Sequence, residues 1–224
     1  IILGVALLFL SFRSVDWSVF QEALQSAKQD WLLFALASVL LSVGLKIARW
    51  WILLKNFQVK IPWTRVMTAY FLGQAANILL VFRTGEFVRI GWAHQSDQQD
   101  LVEISGSIAI EKYVDLLMFV VAMLAVSATL PENLVKNAVF FQKVAIIVSV
   151  ILGLVILLGP WIWRNYFAHR QWHGLLEKIT IRINDFINAS LWLRKPEKIF
   201  PVVLLSAMIW VIMGFTNKLL FTSL

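Results

Sequence analysis

Long apolar runs of membrane-spanning length recur along this chain and constrain its fold more than any other feature. They cover residues 31–54, 104–130, 140–163 and 199–221. A helix needs about 20 apolar residues to cross the hydrocarbon core of a bilayer. Charged residues make up only 15% of the chain, against about 25% in an average soluble domain. The sequence therefore predicts an all-α, polytopic integral membrane protein with a single membrane domain over residues 1–224.

The two ends of the sequence suggest part of a longer membrane region. The chain begins without methionine and ends directly after an apolar run. We therefore expect a membrane domain that is clipped at both ends. Residues 1–12 are apolar but have no basic segment before them, so we interpret them as the remainder of a transmembrane helix rather than a signal peptide.

The charge pattern and the missing motifs exclude several classes of function. Lys and Arg exceed Asp and Glu by seven, but they lie mostly between apolar runs. That distribution indicates membrane topology and contact with anionic lipid headgroups, and we expect no nucleic-acid partner. There is no cysteine, and His169 and His173 lack a third ligand, so we predict no metal site and no cofactor. Phosphate-loop, dinucleotide-binding and nucleophile-elbow motifs are absent, which predicts a protein that is not an enzyme.

Residues 66–93 form two apolar runs that are each too short to cross the membrane. The first has 17 residues and reaches about 25 Å as a helix, short of the roughly 30 Å core. If this segment enters and leaves on one face, the two sides of the membrane hold 14 and 4 Lys and Arg residues. If it crosses once, they hold 7 and 11. The positive-inside rule favours the first arrangement, so we predict a re-entrant hairpin that opens to the cytoplasm and lines a cavity.

Residues 172–194 have a different pattern, with apolar side chains at helical spacing opposite charged and amide side chains. Trp172, Leu175, Ile179 and Phe186 belong to the apolar side. This pattern is typical of an amphipathic helix, and we expect it to lie along the membrane interface.

Polar and charged side chains collect in and after the predicted hairpin. Ionisable groups at membrane depth are costly and mark a candidate site. Thr84 is placed to cap a helix that starts near Gly85, and Glu86 and Arg89 are three apart and can pair. The candidate substrate-binding residues are Gln74, Asn77, Arg83, Glu86, Arg89, Glu111 and Asp115.

The next long run adds two carboxylates to this cluster. Glu111 and Asp115 are four apart, so both project from one face of a helix. An arginine that these acids do not fully use can bind a phosphate through two parallel hydrogen bonds. The alternative is an ion-pair cluster that locks the hairpin to the helix and binds no ligand. Lys112 is a weaker candidate because it points away from the carboxylate face.

Two motifs in this stretch resemble a known family. The run from Asn77 to Arg89 (NILLVFRTGEFVR), followed by the run from Ser105 to Asp115 (SGSIAIEKYVD), resembles the flippase-like membrane family of the lysylphosphatidylglycerol synthase transmembrane region. Val81 stands where this family usually has proline, and Lys112 stands where arginine is usual. A Pro-Gly-rich motif with a glutamate is expected beyond Leu224.

The resemblance implies a bacterial or archaeal cytoplasmic membrane protein that moves a charged or glycosylated lipid between leaflets. It implies that Arg83, Glu86, Arg89, Glu111 and Asp115 line the headgroup path. Membrane lipids are then the expected partners, together with a membrane protein or a second copy of the chain. Two alternatives stay open, namely a non-transporting subunit that docks or regulates a lipid-modifying partner and an ion-coupled transporter of small solutes.

Overall fold

All regular secondary structure in the described part of the chain is helical, which confirms the predicted fold class. The computed structural model describes residues 13, 16–18, 21, 29–80, 84–95, 101–128, 132–167 and 175–223. Within these ranges, three helices are long and apolar enough to cross a membrane, and they cover Gln29–Asn56, Gln142–Tyr166 and Pro196–Phe221. Residues 1–12, which we interpret as the end of a first transmembrane helix, lie outside the described residues.

The described residues contain seven α-helices, here numbered in chain order. They are α1 (Gln29–Asn56), α2 (Trp63–Leu79), α3 (Gly85–His94), α4 (Leu101–Ser127), α5 (Glu132–Ile162), α6 (Leu175–Ala189) and α7 (Pro196–Ser223). A π-helical segment, Trp163–Phe167, continues α5, and a 3₁₀ turn, Leu191–Arg194, follows α6. Helix α4 has 27 residues and is long enough to span, but it carries Glu111, Lys112 and Asp115 within five positions and is not among the three candidate spans.

Helix α1 ends in a Schellman motif that sequence reasoning did not foresee. The Val59 amide donates to the Leu54 carbonyl at 2.9 Å, and the Gln58 amide donates to the Lys55 carbonyl at 3.0 Å. Gln58 has a φ of 63°, the left-handed conformation that this motif requires and that glycine usually supplies. Val59 and Leu54 are both buried, which adds the apolar contact typical of this helix end. Pro62 then precedes α2.

The contacts divide the chain into two compact units. The first unit consists of Ile1–Ile52, Lys60–Leu101 and Ala207–Leu224. It contains most of α1, the helices α2 and α3, and the second part of α7. A hydrogen bond of 2.7 Å between the hydroxyls of Ser38 and Thr216 joins α1 to α7 inside this unit.

The second unit consists of Leu53–Val59 and Val102–Ser206. Its packing is centred on aromatic rings and small residues. Phe57 meets Trp192 edge to face, with ring centroids 5.7 Å apart, and both residues are buried. A Cβ at Gly106 would lie 2.8 Å from Phe57 and 2.9 Å from Phe186. The missing side chain therefore lets α4 approach the end of α1 and the C-terminal turn of α6 closely.

Helix α6 occupies the segment that we predict to be interfacial. Phe186 and Ile187 lie against the rest of the unit, whereas Ile179 is 45% exposed and Ile181 is 52% exposed. Trp172 lies outside the described residues. The position of this helix at a membrane interface stays a prediction, as does the membrane placement of residues 66–93.

Candidate functional site

Helices α2 and α3 form an antiparallel pair, which is the local form expected of the predicted hairpin. At one end, the Arg65 guanidinium donates to the Trp92 carbonyl through two nitrogens, at 3.2 and 3.3 Å. At the other end, the Asn77 side chain reaches the first residue of α3, Gly85. Helix α3 has only 10 residues, so it is about 15 Å long.

Two glycines set the distance between these helices. A Cβ on Gly85 would collide with the Gly73 carbonyl oxygen and would lie 2.5 Å from Cγ of Asn77. A Cβ on Gly73 would lie 2.8 Å from the Gly85 carbonyl oxygen and 2.5 Å from Cγ of Arg89. Backbone atoms therefore meet backbone atoms at this crossing, and Gly73 also makes room for the stem of Arg89.

Asn77 caps α3 from the opposite helix. Its Oδ1 accepts a hydrogen bond of 2.8 Å from the Gly85 amide, which would otherwise lack a partner at the start of a helix. Our prediction that Thr84 supplies the cap is wrong. Thr84 occupies the N-cap position but makes no capping hydrogen bond, and its buried hydroxyl has no partner among the described residues. Asn77 takes this role because the close Gly73–Gly85 crossing places its amide at the helix start.

Arg89 is held between two aromatic rings at the centre of the hairpin. Its Cζ lies 4.0 Å from the centroid of the Trp50 ring and 5.1 Å from that of Tyr70. The residue is 5% exposed. Gln74 donates to the Tyr70 hydroxyl at 3.1 Å. Three helices of the first unit therefore contribute to one polar cluster, with α1 supplying Trp50, α2 supplying Tyr70 and Gln74, and α3 supplying Arg89. We call these four residues the arginine cluster.

The burial of Arg89 has a physical explanation in these contacts. A charge in a low-dielectric environment is costly unless neighbouring groups stabilise it. The faces of aromatic rings attract a cation, and a guanidinium that is shielded from water gains about 2 kcal/mol or more from such contacts. The Trp50 and Tyr70 rings also exclude water from one side of the guanidinium. Stacking uses the plane of this group, while its N–H donors point outward along the edge.

The remaining predicted site residues are distributed as follows. Gln74 is exposed, and Asn77 and Glu86 are half-buried in the first unit. Glu111 is 4% exposed and Asp115 is half-buried, and both lie on α4 in the second unit. Lys112 is exposed. Arg83 lies outside the described residues, so its place in the cluster stays a prediction, as does the joint site that combines both units.

Sequence reasoning missed three contributors to the first unit. Arg49 precedes Trp50 on α1 and is 1% exposed, although its position near the end of an apolar run suggested an interfacial residue. Trp50 itself has the sequence context of an interfacial anchor, yet it is fully buried under Arg89. Tyr70 is 3% exposed. The only sequence feature that could have indicated their burial was an arginine, Arg49, beside a tryptophan, Trp50, inside an apolar helix.

Comparison with protein families identifies the family of this chain. Residues 1–224 match the family described as the lysylphosphatidylglycerol synthase transmembrane region. The chain belongs to this family. No curated protein and no solved structure matched the chain. For this family member, the match confirms the resemblance seen in the motifs, and it indicates a membrane protein tied to lipid metabolism.

The described residues offer this family member no metal site. No group of three or more His, Asp or Glu side chains in the described ranges is arranged to hold a metal ion. His169 and His173 lie outside these ranges. The chemistry available at the hairpin is therefore that of a buried guanidinium, amide groups and a nearby carboxylate on Glu86.

Proposed function

We propose that this member of the family is a lipid translocator that moves an anionic or glycosylated phospholipid between the leaflets of a bacterial or archaeal cytoplasmic membrane. The headgroup crosses through a polar cavity while the acyl chains stay in the bilayer. Translocation involves no covalent step, so the protein is not an enzyme. The proposed headgroup path is lined by Gln74, Asn77, Arg83, Glu86, Arg89, Glu111 and Asp115.

The observation that carries this proposal is the buried Arg89 in a helix too short to span. A charged residue inside a membrane protein is costly, and residues of this kind mark candidate substrate or ion paths. The Trp50 and Tyr70 rings contact the Arg89 guanidinium at 4.0 and 5.1 Å, and the hydrogen-bond donors of such a group lie in its plane, at its edge. An arginine fixed in this way is suited to bind a phosphate or carboxylate through that edge.

The shape of the hairpin supports the same proposal. Helix α3 is about 15 Å long, about half the thickness of the hydrocarbon core. Non-helical backbone at membrane depth is tolerated where it is buried in protein or lines a wet cavity. In the re-entrant arrangement that we predict for residues 66–93, α3 would begin near mid-membrane, and this arrangement favours a polar cavity beside the hairpin. The family match supports a role in lipid metabolism.

The test is transbilayer lipid movement in proteoliposomes. The chain is reconstituted with a trace of headgroup-labelled lipid, and a membrane-impermeant reagent then reports how fast label appears in the outer leaflet. The panel contains phosphatidylglycerol, a glycolipid and phosphatidylcholine. We expect faster movement of the first or second lipid than in protein-free vesicles, and slower movement with Glu86→Gln.

The result also separates the proposal from its strongest alternative. If no lipid of the panel moves faster with folded wild-type protein, the translocator proposal fails for the isolated chain. The alternative is then a non-transporting membrane subunit that docks or regulates a lipid-modifying partner. Circular dichroism in the same vesicles serves as the control for folding of wild type and variant.

A further inference from the structure

The second unit contains an apolar cavity that the proposed headgroup path does not use. It has a volume of about 240 Å³ and lies between α4, α5 and α6. Its walls include Val155, Gly159, Trp163, Ile183 and Phe186. None of the residues proposed for the headgroup path belongs to its lining.

The cavity lies beside an interruption in the regular geometry of α5. Pro160 has no N–H for the carbonyl of Ile156, and both residues line the cavity. A π-helical segment begins at Trp163, and such segments occur often at functional sites. The Trp163 indole donates to Oδ1 of Asn184 at 2.7 Å. This bond fixes one wall of the cavity to α6.

A basic groove shares two walls with the cavity. The groove has a volume of about 360 Å³ and is lined by Lys178, Ile179, Arg182, Ile183 and Phe186. Ile183 and Phe186 therefore line both spaces. Lys178 and Arg182 are four residues apart, so their side chains lie on one face of α6. Both are exposed.

We infer that the second unit binds one anionic phospholipid, with an acyl chain in the cavity and the phosphate beside Lys178 and Arg182. An apolar space that shares Ile183 and Phe186 with a groove lined by two cations matches the chemistry of such a lipid, which has an apolar tail and a negative headgroup. A lysine or arginine near a membrane surface attracts anionic lipid by about 1 kcal/mol. The charges therefore favour an anionic lipid over a zwitterionic one.

The position of α6 fits this occupant. The Phe186 end of the helix packs against Gly106 of α4, while the first half exposes Ile179 and Ile181 together with the two cations. A helix with this distribution is suited to the boundary between headgroups and acyl chains. The bound lipid belongs to a site separate from the translocated lipid, so the inference stands whether or not the protein transports.

The experiment uses photo-reactive lipids with a diazirine in one acyl chain. The full chain is reconstituted in nanodiscs with either a phosphatidylglycerol or a phosphatidylcholine probe, and cross-linked peptides are mapped by mass spectrometry. We expect the anionic probe to label peptides that contain residues 155–163 or 183–193, and the zwitterionic probe to label them far less. Equal labelling by both probes, or labelling confined to other peptides, would overturn the inference.

Two variants test the two halves of the site. Gly159 lines the cavity and a Cβ added there meets nothing within 4 Å, so Gly159→Leu is expected to occupy part of the cavity and to lower this labelling. Gly44→Leu is the matched control, because Gly44 is also helical and its added Cβ also meets nothing. Lys178→Gln with Arg182→Gln is expected to weaken retention of the anionic probe about 25-fold, or about fivefold for each cation.

The variants also make the inference refutable. If Gly159→Leu is labelled as strongly as Gly44→Leu, the acyl chain does not occupy the cavity. If the double variant retains the anionic probe like wild type, the cations do not bind the headgroup. The comparison of the two probes on wild-type protein decides the question even if a variant fails to fold.

Discussion

Gly85→Ala is the change that tests the hairpin geometry most sharply. The φ angle of Gly85 is not in the left-handed region, so the backbone itself accepts alanine. Space is the obstacle, because the added Cβ would collide with the Gly73 carbonyl and would lie 2.5 to 2.6 Å from Asn77 side-chain atoms. The Gly73 carbonyl is backbone and cannot rotate away. The two helices must therefore separate, and the Asn77 cap at 2.8 Å is lost with them.

The expected loss follows from three contributions to the free energy of unfolding. Overpacking a close contact costs about 1–3 kcal/mol. Loss of a helix cap costs about 1 kcal/mol. Replacing glycine by alanine in a helix returns up to about 1 kcal/mol. We therefore expect Gly85→Ala to lower the free energy of unfolding by about 2 kcal/mol.

Gly91→Ala is the matched control on the same helix. A Cβ at Gly91 meets nothing within 4 Å, so only the gain in helix propensity of up to about 1 kcal/mol remains. The two variants should differ by about 3 kcal/mol, which is about 6–12 °C in melting temperature for a chain of this size. Thermal unfolding in detergent, followed by circular dichroism, measures the difference. A Gly85→Ala variant as stable as Gly91→Ala would refute the close helix crossing.

Three further predictions concern individual hydrogen bonds and backbone conformation, each measured as the free energy of unfolding in detergent. Asn77→Ala should lower the free energy of unfolding by about 1 kcal/mol, because it removes the cap of α3. Thr84→Ala should leave the free energy of unfolding unchanged. Equal losses for the two variants would contradict the assignment of the cap to Asn77. Gln58→Gly should raise the free energy of unfolding by about 1 kcal/mol, because glycine adopts a φ of 63° without strain. A less stable variant would contradict the left-handed conformation at this position. Thr216→Val should lower the free energy of unfolding by about 0.6 kcal/mol, because it removes the hydrogen bond to Ser38. An unchanged free energy of unfolding would indicate that this bond contributes no stability.

The fold was largely predictable because membrane helices carry their own signal. Apolar runs predicted the described helices to within a few residues, except that α5 begins at Glu132 rather than near 140. The first turns of α5 are polar, with Glu132, Asn133, Lys136 and Asn137. An apolar run marks only the part of a helix that lies in the bilayer. It cannot reveal such polar turns, because a helix does not have to end at the membrane surface.

The details of the candidate site were less predictable because they depend on which helices meet. Local reasoning assigned the cap of α3 to Thr84, the nearest hydroxyl, whereas Asn77 supplies it from eight residues away. Local reasoning also had no means of finding that Trp50, which is 39 positions earlier in the chain, contacts the Arg89 guanidinium. Spacing rules describe neighbours on one helix, and these contacts cross between helices.

The glycines illustrate the same limit. Gly73 and Gly85 are indistinguishable in sequence from Gly44 and Gly91, which have open space around them. Only the crossing of α2 and α3 shows that the close packing requires glycine at positions 73 and 85. Gly44 and Gly91 have no such neighbours and are therefore suitable controls. The motif that resembles the family includes Gly85, and the structure supplies a packing reason for glycine at this position.

The central claim is that the Arg89 guanidinium binds a lipid headgroup during translocation. The most direct test compares the initial rates of phosphatidylglycerol movement for Arg89→Lys and Arg65→Lys in matched proteoliposomes. Arg65 lies on the same hairpin with its Cζ 5.6 Å from the Trp92 ring, so it controls for loss of an arginine stacked on tryptophan. Lysine keeps the charge but loses the two-pronged hydrogen bonding. We predict a rate at least about tenfold lower for Arg89→Lys, with the Arg65→Lys rate close to wild type; equal rates for the two folded variants would contradict the claim.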